Sequence, residues 1–145
     1  MSFAISRRTP LSADETWDRL TDWEAHSGLI PFTVVTRDPD RPRVGVGSRF
    51  VARTTLGPMS FDDPMEVTFW QPPTEGRPGV CRIVKSGTTV TGWAVLTVTA
   101  DPAGGGCTVT WREQADVGRA GPFLRGPTAL VGKAVFSRLV SRILT

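Results

Sequence analysis

Long hydrophobic runs are missing from this sequence, and no apolar stretch approaches the roughly 18 residues that a membrane-spanning helix requires. We therefore expect no stable membrane insertion. At the start of the chain, Arg7 and Arg8 follow a very short apolar stretch, which reverses the order found in a secretory signal. This order favours a cytoplasmic protein.

Cysteine and histidine are scarce, with two cysteines and one histidine in 145 residues. Two cysteines are too few for a disulfide scaffold, and neither stands at a metal-ligand spacing, so no metal site and no cofactor are expected. If the strands follow one another in a meander, one strand separates Cys81 from Cys107 by ~9–10 Å. That distance exceeds the reach of a disulfide, and we predict two free cysteines.

Two common motifs are also absent. Gly45-Val46-Gly47 lacks a third glycine and precedes a strand, which excludes a dinucleotide-binding fingerprint. No Gly-x-Ser-x-Gly occurs, which excludes a nucleophile elbow. The net charge of +3 comes from arginines scattered along the chain, whereas nucleic-acid-binding proteins concentrate positive charge on one face. No nucleic-acid partner is expected.

The hydrophobic periodicity predicts an α+β fold in a single domain over residues 1–145. Residues 2–9 form a strand, and Ser12 with Glu15 has the pattern of a capping box at the start of a helix. A second short helix is predicted from Trp23 to Ile30. Further strands with period 2 are predicted at 32–37, 46–55, 59–70, 79–86, 88–99 and 106–117.

The connections and the C-terminal segment complete this pattern. Connections rich in glycine and proline separate the strands and are too short for parallel crossovers, which makes the sheet antiparallel. From Pro122 to Thr145 the period changes to 3.6, which is typical of an amphipathic helix of about six turns. We expect Phe136 and Leu139 of this helix to face the sheet.

This order of elements resembles the START-like superfamily, also called SRPBCC, which includes polyketide cyclases and lipid-transfer proteins. The segment Ser12 to Leu20 resembles the first helix of that family, and Trp70-Gln71-Pro72-Pro73 resembles the turn after its fourth strand. Trp111-Arg112-Glu113 resembles residues late in its last strand. The resemblance implies a helix-grip fold: a seven-stranded curved antiparallel sheet wrapped around a long C-terminal helix, two short helices after the first strand, and a cavity between sheet and helix.

The inward faces of the strands are mostly apolar, which favours the binding of a small hydrophobic ligand that is lipid-like or polyketide-like. The short helices and the last helix add further apolar side chains. The candidate ligand-binding residues are Trp17, Leu29, Phe50, Met65, Val67, Phe69, Leu96, Trp111, Glu113, Phe136, Leu139 and Val140.

Two residues are candidates for chemistry. Period 2 places Glu113 on the apolar face, where a carboxylate needs a partner such as Arg82, a proton, or contact with a wet cavity. Such a group can orient a ligand or act as a general acid or base. His26 is the only histidine and lies in the short-helix region. Asp62 and Asp63 precede Pro64, which suggests a sheet edge or a bulge, so both are expected to be exposed.

Three functions remain open at this point. The first is a binding protein, either a monomer or a homodimer. The second is a cyclase or aromatase that uses Glu113 and His26, although the lack of tyrosine removes the phenol that many cyclase-type pockets use. The third is a toxin-like or regulator-like interaction protein, which would use the basic outer side of the last helix with Lys133, Arg138 and Arg142.

Overall fold

The chain forms one antiparallel sheet of seven strands with a long C-terminal helix. The computed structural model describes residues 2–88, 90–117 and 128–145, without the side chains of 117 and 128–132. The elements are β1 (Ser2–Thr9), α1 (Ala13–Leu20), a 3₁₀ helix (Trp23–His26), β2 (Thr33–Arg37), β3 (Arg49–Leu56), β4 (Met59–Gln71), β5 (Gly79–Ser86), β6 (Val90–Ala100), β7 (Cys107–Val117) and α2 (Thr128–Ile143).

The strands lie in the order β1-β7-β6-β5-β4-β3-β2, and every neighbouring pair is antiparallel. Strands β2 to β7 form the predicted meander, and β1 pairs with β7 at the opposite edge. The α+β helix-grip prediction is therefore confirmed. Because β6 lies between β5 and β7, Cys81 and Cys107 do not meet, and both are buried free thiols as predicted.

The first helix begins where the sequence predicts. The Oγ of Ser12 accepts a hydrogen bond from the backbone N–H of Glu15 at 3.1 Å, which satisfies one of the amide groups left open at the helix start. In a full capping box the side chain of Glu15 would accept a hydrogen bond from the backbone N–H of Ser12. Here that side chain instead forms an ion pair with Arg19 at 2.8 Å. The helix buries Trp17 and Leu20 against the sheet side of the molecule.

The second helix is shorter than predicted. Instead of running to Ile30, it is a single 3₁₀ turn that ends at His26. Gly28 then adopts a φ of 76°, a conformation that a helix cannot continue through. The Oγ of Ser27 accepts a hydrogen bond from the N–H of Val35 at 2.8 Å, which ties this segment to β2.

The C-terminal helix packs on the inner side of the sheet. Leu139 and Val140 are buried, and the ring of Phe136 lies 5.5 Å from the ring of Trp111, so the predicted phase of this helix is confirmed. The Arg7 side chain of β1 donates hydrogen bonds to the hydroxyls of Ser137 and Ser141. Residues 122–127 of the predicted helix lie outside the described residues. Among the helices that the structure describes, none has the length and apolar character needed to cross a membrane.

Strand β4 contains an irregularity that changes which side chains face inward. Its pairing with β5 shifts register between Val67 and Phe69. Beyond that shift, Trp70 points inward against Trp17, with ring centroids 5.0 Å apart, and Phe69 is 47% exposed. The prediction that Phe69 faces the ligand space is therefore wrong, because a bulge reverses the alternation of side chains along a strand.

Candidate functional site

A cavity of about 260 Å³ lies between the inner face of the sheet and α2. Most of its wall is apolar and comes from the inward residues of β2 to β7, from the segment after α1, and from α2. The described residues that line it are Trp23, His26, Ile30, Thr33, Val35, Phe50, Ala52, Thr54, Phe61, Asp63, Met65, Ile83, Lys85, Val90, Ala94, Trp111, Glu113, Ala115 and Phe136.

Part of the predicted ligand-binding set lies on this wall. Phe50, Met65, Trp111, Glu113 and Phe136 all line the cavity, and His26, which was proposed for chemistry, lines it as well. The structure thus brings together predicted residues from three strands, the 3₁₀ helix and α2 around one space.

The other predicted ligand-binding residues do not line this cavity. Trp17, Val67, Leu96, Leu139 and Val140 are buried in the hydrophobic core. Leu29 is half-buried, and Phe69 is on the outer surface. The reason is that inward-facing positions fill two different spaces: near α1 they pack solidly, with Trp17 against Trp70, whereas near Lys85 and Glu113 they leave the cavity open.

A cluster of three charged side chains lies on the cavity wall. The Nζ of Lys85 on β5 is 2.5 Å from Oδ2 of Asp63 on β4 and 3.2 Å from Oε1 of Glu113 on β7. Glu113 also accepts a hydrogen bond at Oε2 from Nε1 of Trp111, at 3.0 Å. The side chains of Lys85 and Glu113 are only 5% and 3% exposed. Buried charges of this kind require pairing, and each of these groups has it.

The small residues of β6 allow this cluster to form. Strand β6 separates β5 from β7, so Lys85 and Glu113 start on strands about 10 Å apart. Gly92 is the pairing partner of Lys85, and Ala94 is the pairing partner of Glu113. Because these two positions have little or no side chain, the lysine and the glutamate meet across β6.

The positively charged partner of Glu113 is not the residue that the sequence suggested. Arg82, which the sequence offered as a partner for Glu113, lies on the other face of β5, with its guanidinium 5.8 Å from the ring centroid of Trp93. Arg82 and Lys85 differ by an odd number of positions in one strand, so their side chains leave opposite faces. Lys85 therefore neutralises Glu113.

The two aspartates before Pro64 also divide between the faces. The side chain of Asp62 lies on the outer face of the sheet, where both carboxylate oxygens accept hydrogen bonds from Arg53 at 2.7 and 2.9 Å. Asp63 faces the cavity, so the expectation that it is exposed is wrong. Strand β4 is not an edge strand, and Pro64 is simply opposite Val51 of β3.

Burial and mutual charge set the protonation of this cluster. Burial raises the pKa of Asp63, and the nearby charge of Glu113 adds to this rise, while Lys85 opposes it. Burial alone would lower the pKa of Lys85, but the charges of Glu113 and Asp63 and their hydrogen bonds outweigh burial and raise that pKa. Lys85 is consequently an ammonium donor at neutral pH, not a nucleophilic amine.

Two polar atoms of cavity-lining residues are left without partners. Oδ1 of Asp63 and Nε1 of Trp23 are buried and have no hydrogen-bond partner among the described residues. A buried polar atom without a partner costs about 1–3 kcal/mol, so such atoms are uncommon in folded proteins. The carboxylate of Asp63 therefore keeps one unused acceptor, Oδ1, on a wall that is mostly apolar.

His26 is a neutral residue of the cavity wall. Its Nε2 lies 3.0 Å from the carbonyl oxygen of Leu20. Because a carbonyl oxygen only accepts hydrogen bonds, Nε2 carries the proton and donates a hydrogen bond to this oxygen. Burial lowers the pKa of His26 to about 4, although the Leu20 carbonyl and Asp22 oppose this effect. His26 and Glu113 share the cavity, but each is bonded to other groups.

The depressed pKa of His26 leads to a prediction on acid stability. Between its ordinary pKa of 6.5 and about 4, the unfolded chain binds a proton that the folded chain does not. Stability should therefore fall as the pH falls from 7 to 4, and this residue should account for a loss of about 3 kcal/mol.

Urea denaturation of the wild type and of His26→Gln across this range measures the effect. Glutamine can still donate to Leu20 but does not titrate. Asp63, whose pKa is raised, acts in the opposite direction in both proteins, so the difference between the two curves isolates the histidine. Parallel curves would contradict the assignment.

Sequence reasoning missed Asp63 and Lys85. A signal for Lys85 was available: period 2 along β5 places it on the same face as Cys81 and Ile83, which are both buried. Asp63 gave a weaker signal, because Pro64 suggested a turn. Among the described residues, no group of three or more His, Cys, Asp or Glu side chains is arranged to hold a metal ion.

Comparison with known proteins supports the fold. No protein-family model matches the chain. No curated protein matches it either. Among solved structures, a STAR-related lipid transfer protein fragment from Xanthomonas axonopodis superimposes with a TM-score of 0.72 and 14% identity, covering 99% of this chain and 86% of that one.

Norcoclaurine synthase from Thalictrum flavum, in complex with dopamine and hydroxybenzaldehyde, gives a TM-score of 0.62 and 14% identity over 99% of this chain and 85% of that one. Ara h 8.0201 gives 0.64 and 11% identity over 99% and 97%. These structures share the START-like fold, and the predicted resemblance to that superfamily is confirmed at the level of fold.

Proposed function

We propose that this protein binds a small, mostly hydrophobic molecule in the cavity between the sheet and α2, with residues 1–145 acting as one binding domain. The observation that carries the proposal is the cavity itself, a largely apolar space whose described lining residues include one charged cluster. Ligand sites in proteins have this composition, since apolar contact supplies affinity and a few polar groups fix orientation.

The size of the cavity limits which ligands can bind. Ligand pockets usually measure about 300–1,000 Å³, and this one has about 260 Å³. A compact molecule of a few rings fits such a space better than a long-chain lipid. The likeness to a lipid transfer protein and to an enzyme solved with two small aromatic molecules supports hydrophobic ligand binding in this fold.

The wall also offers aromatic surfaces for a ring. Trp23 and Phe50 stack at a centroid distance of 4.6 Å and an interplanar angle of 11°. Trp111 and Phe136 form a second pair at 5.5 Å and 30°. Both pairs line the cavity, and aromatic rings of a ligand gain additional attraction from such neighbours.

A cavity-filling variant tests the proposal. Ala52→Trp places a large ring in the cavity, because Ala52 lines it, and should weaken the binding of the neutral fluorescent probe N-phenylnaphthylamine by at least about tenfold. Val51→Trp is the matched control, since its side chain leaves the opposite face of the same strand. Fluorescence titration measures both variants, and thermal unfolding checks that each is folded. Equal affinity for the two variants, or no binding by the wild type, would overturn the proposal.

A further inference from the structure

The charged cluster in the cavity carries an excess of negative charge. Of the described residues that line the cavity, Asp63, Lys85 and Glu113 are the ones with formal charge when ionised, and His26 is neutral near pH 7. Two carboxylates face one ammonium, so the cluster sums to a charge of −1 when both are ionised. In an apolar space this charge is poorly compensated.

The hydrogen bonds show which carboxylate carries the excess negative charge. Both oxygens of Glu113 are used, one by Lys85 and one by Trp111. Oδ2 of Asp63 is bonded to Lys85, while Oδ1 of Asp63 is buried without a partner among the described residues. Burial raises the pKa of Asp63, and the charge of Glu113 adds to this rise, which is consistent with a carboxylate that Lys85 only partly compensates.

We propose that the natural ligand is a hydrophobic amine whose ammonium group binds the carboxylate of Asp63, which lines the cavity with its side chain 21% exposed. This inference rests on the proposed ligand-binding function and names the chemical class that the site selects. An ammonium donates to this carboxylate and also neutralises the cluster. An alcohol donates but leaves the charge, and a carboxylate adds a second like charge in the same space.

Displacement of N-phenylnaphthylamine by three compounds with one hydrocarbon frame tests the ligand class. These are phenylpropylamine, phenylpropanol and phenylpropanoate, compared at pH 7. The amine should bind at least about tenfold more tightly than the alcohol, since a charge-assisted hydrogen bond is about twice as strong as a neutral one. The carboxylate should bind most weakly.

Two isosteric variants test the location. Asp63→Asn keeps the shape of the side chain but removes the charge, and the preference for the amine over the alcohol should fall to within about twofold. Asp62→Asn is the matched control, because it changes the adjacent carboxylate, which pairs with Arg53 on the outer face of the sheet. This variant should keep the preference for the amine.

The possible outcomes separate this inference from the proposed function. If the neutral probe itself does not bind, the ligand-binding function fails. If the probe binds but the wild type ranks the amine equal to or below the alcohol, the amine inference fails and the binding function stands. This ranking is decided on wild-type protein even if Asp63→Asn does not fold. An amine preference that persists in folded Asp63→Asn would also overturn the inference.

Discussion

Lys85→Met should lower the free energy of unfolding by about 3–5 kcal/mol at pH 7, because the change leaves two buried carboxylates without their cation. Methionine keeps the length and the apolar part of the side chain, so the expected loss comes from charge and not from a void. Urea denaturation monitored by tryptophan fluorescence measures it.

A triple variant separates loss of charge balance from loss of packing. Lys85→Met combined with Asp63→Asn and Glu113→Gln has no formal charge in the cluster and should recover most of the lost stability. Arg53→Met serves as a control, since it breaks an exposed ion pair with Asp62 and should change stability little. A loss in Lys85→Met no larger than that in Arg53→Met would show that the cluster is not buried as described.

Gly92→Ala should destabilise the protein by about 3–5 kcal/mol. Gly92 has a φ of 137°, which L side chains rarely adopt, and an added Cβ would lie 1.9 Å from the carbonyl oxygen of Gln114 on β7. The strands β6 and β7 would have to separate close to the point where Lys85 and Glu113 meet across β6. The same titration in urea quantifies the loss.

Gly57→Ala is the matched control for this substitution. Gly57 also has a positive φ, of 58°, but nothing lies within 4 Å of an added Cβ there. Its cost should be limited to the conformational strain of alanine in that region, about 1–2 kcal/mol. If the two alanine variants lost the same stability, close approach of the strands at Gly92 would not be the reason for the glycine.

The polar part of the site was predictable only in outline. Parity along the last strand placed Glu113 on an apolar face, and the cost of an isolated buried carboxylate required a partner. Which cation supplies the charge could not be read from one strand, because Lys85 approaches across β6. Asp63 was missed because its neighbour Pro64 suggested an edge, whereas β4 has a partner on each side.

The sequence by itself determined the order and type of the elements. The change from period 2 to period 3.6, the cap at Ser12 and the short connections are local features, and each acts within a few residues of chain. They were sufficient for an antiparallel meander with a C-terminal helix. They were also sufficient to keep Cys81 and Cys107 apart, since that conclusion needs only the strand order.

Only the tertiary structure decided which inward-facing side chains border empty space. Trp17 and Phe136 both face the interior, yet Trp17 packs against Trp70 and Phe136 borders the cavity. Because of the register shift in β4, Trp70 points inward in place of Phe69. The shift depends on how β4 pairs with β5. Packing, register and the meeting of charges across a strand involve residues distant in sequence, and local periodicity carries no information on them.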